Sequence, residues 1–408
     1  MKIYFVVLNE MLTGVIASQV IAPARAYSTA LPELDVRVIF LEPARVAFRR
    51  RCRERLRELR GLWPGGKVGL CPYVGRLGKW APSWALEAAV KFTGGGRARP
   101  VFHCRGGEAV TQAARVARRL RGRVIFDSRG ASDHEAVLRL ISNGDGGDPS
   151  LLLRAFDGGQ RRDKLATEQA DAVVAVTEHL AHKLKAMVDG RDKQVDVIPC
   201  CVERPLFCAR SRARKREELG VHDDELLLGH VSTEARWESF KEVLDFFSVV
   251  RERRPARLLF LTTLPRDVVT ASLAPDHPLR EAIFVKRAVP CEVPAYLSAA
   301  DVGLLLRQPH EAFKTCSPIK FAEYLGAGLV PVVSEGIGST RDVVEGGKLG
   351  VVIPGGADHA ELERCAARLL TLLDNGPDEA RRRSIEACEK IYIWERYTPV
   401  ISRLYGLA

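Results

Sequence analysis

Ser317 to Ser339 reads SPIKFAEYLGAGLVPVVSEGIGS. Ser317 before Pro318 predicts a helix start: serine accepts from the first turn, and proline suits the first helical position. The helix ends by Gly326 or Gly328, because glycine past the last turn closes helices. The apolar run Leu329-Val330-Pro331-Val332-Val333 then predicts a strand buried on both faces, with its proline near the beginning. A second glycine loop follows at Gly336-Ile337-Gly338.

On that helix Lys320 and Glu323 lie three residues apart and share a face. The helix N-terminus offers unsatisfied N–H groups and the positive end of the dipole. Together these suit a nucleoside diphosphate: phosphate at the start, Lys320 one turn in, Glu323 accepting from ribose hydroxyls. An ordinary capped helix with an exposed Lys/Glu pair satisfies the same spacing.

The 408 residues predict two domains, and an apolar share of 46% supplies a sizeable core. No run reaches the roughly 20 apolar residues of a membrane span. Residues 3–8 are too short an apolar run for a signal peptide. The ten cysteines lack any C-x-x-C spacing, which argues against zinc and for reduced thiols in a cytoplasmic protein. The net charge of +11 is uneven: residues 1–200 carry 33 Lys+Arg against 21 Asp+Glu. An anionic partner for the first half is implied, whether acceptor, lipid surface or nucleic acid. Nucleic acid is the least favoured, since zinc-finger spacing, a helix-turn-helix and an aromatic-rich RNA-binding strand are all missing.

Upstream, apolar runs at 3–8, 36–41, 101–104, 124–128, 172–177 and 195–199 alternate with helical stretches. Such βα alternation predicts a parallel α/β sheet that binds ligands at the carboxyl ends of its strands. His103, Arg105, Asp127, Arg129 and Glu135 fall at or just beyond those ends. The stretch from Arg45 to Arg60 predicts one basic helix with Phe48, Cys52, Leu56, Leu59 and Trp63 along one side. Two readings stand: an amphipathic helix on an anionic membrane surface, or a surface helix packed on its own core. A second α/β unit begins at about residue 226 and ends in a strand at 350–353, before closing helices. There is no G-x-x-x-x-G-K-[ST] loop, no G-x-G-x-x-G after the first strand, and no hydrolase motif.

Three stretches together resemble the family-4 glycosyltransferases. Val197-Ile198-Pro199-Cys200-Cys201-Val202-Glu203, with Phe207, is similar to the family's IPNGVD…F segment. Val293 to Gly303, VPAYLSAADVG, is similar to its LxxYLxxADVxL pair, and Ser317 to Ser339 to the subgroup reading SPxKxxEYLAxGxPVV. The resemblance implies the GT-B fold: two Rossmann-like domains facing across a cleft, with a C-terminal helix crossing back. It places an acceptor-binding domain at 1–204, a nucleotide-sugar domain at 205–385 and the crossover helix at 386–408. It further implies a retaining hexosyltransferase that takes a nucleoside diphosphate sugar as co-substrate, without metal or other cofactor. The acceptor implied is a cell-envelope saccharide or glycolipid. The expected place is cytoplasmic, with the inner face of the membrane as the alternative.

Residue by residue, the resemblance sets Gly14, His103, Arg129 and Arg236 toward the reacting centre. It gives donor binding to His230, Arg236, Lys241, Thr315, Ser317, Lys320, Glu323, Gly336 and Gly338. The sequence departs from the pattern at Thr315, where many members carry a first glutamate, and at His230, where many carry arginine. Glu311 is the nearest upstream carboxylate. A non-catalytic relative that binds nucleotide or glycan is the alternative these departures leave.

Overall fold

A computed structural model describes residues 1–408 except 76, 77, 79, 95–98, 189–192, 204–207, 233–238, 290 and 408. The chain divides into two units. Unit 1 contains Met1–Leu140, Gly146–Cys201 and Trp394–Ala408; unit 2 contains Ile141–Asp145 and Val202–Ile393.

Unit 1 is built on a seven-stranded parallel sheet of order β3-β2-β1-β4-β5-β6-β7. Its strands are β1 (Lys2–Leu8), β2 (Asp35–Pro43), β3 (Lys67–Tyr73), β4 (Val101–Arg105), β5 (Arg123–Ser128), β6 (Ala172–Ala175) and β7 (Val195–Val197). Unit 2 has a six-stranded parallel sheet of order β10-β9-β8-β11-β12-β13. These are β8 (Leu226–Val231), β9 (Ala256–Leu261), β10 (Ile283–Lys286), β11 (Val302–Leu305), β12 (Val330–Ser334) and β13 (Val351–Ile353). Strands buried on both faces need continuous apolar runs, and β1, β8 and β12 have them. Both sheets reverse their strand order once, between β1 and β4 and between β8 and β11. The crevice beyond the carboxyl ends at such a point is where this class of fold places ligands.

Three elements differ from expectation. β3 is absent from the sequence reading because Gly69 and Pro72 interrupt its pattern. The proline is tolerated because β3 is an edge strand. The basic helix expected from Arg45 to Arg60 is two helices, Ala44–Ala47 and Arg50–Gly61, because Arg49 is extended at φ −67°, ψ 147°. Cys52 and Leu59 are buried in the unit 1 core with Leu56 and Trp63 packed beside them, whereas Phe48 stands 69% exposed. The apolar stripe is therefore spent on the protein itself. The expected crossover helix is likewise interrupted: one helix ends at Ile391, and a 3-10 turn (Trp394–Tyr397) and a short helix (Thr398–Tyr405) follow. Only the part from Trp394 belongs to unit 1.

None of the ten cysteines forms a disulfide. Among the described residues no helix is long and apolar enough to cross a membrane.

Candidate functional site

In unit 2 the helix Ile319–Gly326 reaches the carboxyl ends of β8 and β11, the two strands of the order reversal. Tyr324 of this helix is fully buried and packs against Gly303 of β11, where a Cβ would sit 2.6 Å from the ring. Only glycine permits so close an approach. The Tyr324 hydroxyl donates to Leu304 O at 3.2 Å and accepts from Val231 N–H at 3.0 Å. One side chain thus ties the helix to both strands that flank the crevice. Tyr324→Phe removes both hydrogen bonds, one of them to a half-buried Val231 N–H, and is expected to cost about 1 kcal/mol. Equilibrium unfolding measures it; an unchanged midpoint would mean the hydroxyl is dispensable.

His230, at the end of β8, is fully buried and its Nδ1 lies 2.9 Å from Leu304 O. A carbonyl only accepts, so Nδ1 carries the proton. Its ring meets Phe240 and Phe260 edge to face at 6.2 and 5.4 Å. The residue expected to touch donor is therefore part of the crevice wall.

Beyond β11 the chain runs through Arg307, whose N–H donates to Ser334 Oγ at 2.9 Å and whose guanidinium covers the Phe313 ring at 4.6 Å. Thr315 is buried, its hydroxyl donating to Ala312 O at 3.1 Å. Its oxygen closes the turn after Glu311–Lys314, and Glu311 itself is exposed and paired to Lys314. The glycine loop is tied to the same turn by Gly338 N–H donating to Phe313 O at 2.8 Å. Gly336 and Gly338 take φ of +79° and +47°, conformations that favour glycine.

The helix start is corrected by one residue. Pro318, not Ser317, is the N-cap, extended at φ −67°, ψ 121°, and no side chain caps it. Ser317 lies half-buried just before it. Lys320 is buried in the first turn, and Glu323 follows half-buried one turn on. Desolvation pushes the Glu323 carboxyl above its ordinary range while the Lys320 charge pulls it back. Lys241 is exposed and paired with Asp245 at 2.6 Å. Arg236 lies outside the described residues.

In unit 1 the residues expected at the reacting centre form a buried network. Asp127 Oδ2 accepts from Arg129 Nε and Nη2 at 2.9 and 2.7 Å, with His103 Nε2 at 3.5 Å. His103 Nδ1 lies 3.0 Å from the Tyr405 hydroxyl, and its ring stacks on Phe5 at 4.4 Å. Arg129 extends over Trp394 at 5.6 Å and toward Cys200 Sγ at 3.8 Å. Burial opposes the Asp127 charge, but the Arg129 and His103 contacts win and hold its carboxyl at about 2. His103 is 3% exposed, so it differs from the expectation of a residue facing substrate. Tyr405 of the C-terminal segment covers it.

Gly14 sits in an exposed turn after β1, with nothing within 4 Å of where a Cβ would be. The crevice of unit 1 lies beside Glu10 and Arg105, paired at 2.8 Å across the carboxyl ends of β1 and β4. Glu135 folds over Gly130, whose absent Cβ would lie 2.0 Å from Oε1. Glu135 is exposed overall, and desolvation of its carboxyl, with Asp163 adding, pushes it up from the ordinary range. Glu10 and Tyr324 escaped the sequence reading. Glu10 follows its strand directly and had a positional signal; Tyr324 carried only the spacing of a core residue. Among the described residues no group of three His, Cys, Asp or Glu side chains gathers as a metal ion requires.

No family model matches the chain. N-acetyl-alpha-D-glucosaminyl L-malate synthase of Bacillus anthracis is 23% identical over 208 residues, 50% of each chain, so the match spans about half of that relative's length. Anabaena HepE solved with UDP superposes at a TM-score of 0.69 and 15% identity over the whole of both chains. Sucrose-phosphate synthase from Thermosynechococcus elongatus superposes at 0.68 and 14% identity, over all of this chain and 98% of that one. The pneumococcal O-GlcNAc transferase GtfA, with UDP and GlcNAc, gives 0.65 and 11% over 100% and 99%. The chain has the GT-B fold of these glycosyltransferases, two Rossmann-like units of seven and six parallel strands.

Proposed function

We propose that the protein is a retaining glycosyltransferase that moves a hexose-type sugar from a nucleoside diphosphate sugar to a cell-envelope saccharide or glycolipid, in the cytoplasm. The observation that carries this reading is the unit 2 crevice. A helix N-terminus with Lys320 in its first turn and Glu323 one turn on is anchored by Tyr324 onto the two strands of the order reversal. There the dipole and Lys320 hold the diphosphate, and Glu323 accepts from the ribose. Ser317, Gly336 and Gly338 border the same place. As the bond to the anomeric carbon breaks, negative charge grows on the departing diphosphate. Preorganised positive groups stabilise it without a cofactor. Arg236, which follows β8 in the sequence, adds a further positive charge in this reading. HepE bound to UDP and GtfA bound to UDP and GlcNAc support the ligand class.

One observation favours a non-catalytic nucleotide or glycan binder instead. Thr315 holds no carboxylate and turns its hydroxyl inward to Ala312 O. Incubation with UDP-, GDP-, ADP- and dTDP-sugars separates the two. The transferase releases free nucleoside diphosphate from one of them, faster with a saccharide acceptor. Stabilisation by a nucleotide without any release would leave the binder.

A further inference from the structure

The chain's excess charge is concentrated in one span. Residues 44–93 contain 12 Lys+Arg and 3 Asp+Glu, a net +9 of the chain's +11. The same span holds four exposed large apolar side chains at one end of its elements. Pro43 and Tyr73 are register partners at the carboxyl ends of β2 and β3, so the chain leaves both strands side by side. Phe48 (69% exposed) lies on the segment leaving β2; Val74 (50%), Trp80 (42%) and Trp84 (48%) lie on the segment leaving β3 and the first turn of the next helix. Exposed tryptophan and phenylalanine beside arginine is the composition of a membrane–water interface, where amphipathic rings sit among headgroups.

We propose that this corner of unit 1 docks on an anionic lipid bilayer, with Phe48, Trp80 and Trp84 entering the headgroup layer and Arg49, Arg50 and Arg53 meeting lipid phosphates. The surface is not the apolar stripe of the Arg50–Gly61 helix, since Cys52, Leu56 and Leu59 are committed to the core. What remains outward on that helix is its cations: Arg49, Arg50, Arg51 and Arg53 are all exposed. Arg50 pairs only with Glu54 on the same exposed face, at 2.6 Å, a bond that exchanges readily for a lipid phosphate. Trp80 is braced by the Arg115 guanidinium 3.5 Å above its ring, which holds one ring in place beside a further cation. Charge and aromatic exposure thus coincide where the two segments leave the sheet. The inference does not rest on the transferase reading, because lipid binding is measured without turnover.

The test is co-sedimentation of the full chain with vesicles of phosphatidylcholine alone and of phosphatidylcholine mixed with phosphatidylglycerol. Lipids brominated in the acyl chain serve as quenchers of tryptophan fluorescence. The wild type is expected on the mixed vesicles only, more weakly at high salt, with its fluorescence quenched. Arg49→Glu/Arg50→Glu/Arg53→Glu should weaken binding by roughly a hundredfold or more, from about fivefold for each cation near the surface. Phe48→Ala/Trp80→Ala/Trp84→Ala should retain only the salt-sensitive part and lose the quenching. Far-ultraviolet circular dichroism and the unfolding midpoint establish that each variant is folded. Equal binding to neutral vesicles, unaltered binding by either triple variant, or arginine-dependent capture of duplex nucleic acid without lipid binding would each overturn the proposal.

Discussion

Glu323→Ala is expected to weaken binding of the nucleoside diphosphate by roughly ten- to a hundred-and-sixty-fold. A carboxylate accepting from a ribose hydroxyl makes a charge-assisted bond worth about 1.5–3 kcal/mol, and 1.36 kcal/mol is tenfold. Loss of affinity alone does not locate the contact, so the decisive measurement is a cycle against nucleotides lacking the 2′- or 3′-hydroxyl. The missing hydroxyl should cost wild type much and the variant little. If both analogues lose as much on the variant as on wild type, Glu323 does not touch the ribose, and the placement of the nucleotide falls with it.

The raised Glu323 carboxyl gives this prediction a sign in pH. Only the ionised form accepts without competing, so affinity should fall as pH drops through a value above the ordinary 4.5. Stability runs the other way. A carboxyl raised in the folded state favours folding below its unfolded value, and that contribution is lost as pH rises through the folded one. Glu323→Gln should therefore leave the empty protein no less stable at neutral pH while weakening nucleotide binding. A variant that loses both would point to a structural role instead.

Asp127→Ala is expected to cost about 3–5 kcal/mol, the largest effect on stability, because it strands the Arg129 guanidinium in a buried site. The carboxyl is lowered from 3.8 to about 2 in the folded state. A depressed carboxyl adds stability that is complete above its unfolded value and lost as pH falls through the folded one. The contribution is about 2 kcal/mol, and it should vanish between pH 4 and 2 in wild type and be missing from the variant. Asp127→Leu/Arg129→Met, which removes both charges, should recover much of the loss. A single variant within about 1 kcal/mol of wild type would show that the network carries little.

The strands were legible because a strand buried on both faces must be apolar along its length, as residues 3–8 and 329–333 are. β3 was not, since an edge strand tolerates Gly69 and Pro72, residues that elsewhere punctuate. The helix bearing Lys320 and Glu323 was legible from its spacing, but its start was read one residue early. Serine before proline fits a cap, and only backbone angles reveal that Pro318 takes the capping place. The carboxyl-edge residues of unit 1 were found, because strand ends position them. Their burial was not, since Tyr405 and Trp394 come from the far end of the chain and cover His103 and Arg129 by a tertiary contact no local pattern encodes. Tyr324 was missed for the same reason, whereas Glu10, two residues past the first strand, carried a positional signal that was overlooked.

That late contribution has a consequence for synthesis. Ribosomes add about 5–20 residues per second. The roughly 190 residues from Val202 to Ile393 therefore separate the seventh strand of unit 1 from its last helix by about ten to forty seconds. Throughout that interval Tyr27, against which Trp394 later packs edge to face, and His103, which later meets Tyr405, have no cover. Unit 2 has all its chain in hand before Trp394 is added, so it can be finished first. The seven strands of unit 1 are then made well before the segment that covers one end of them.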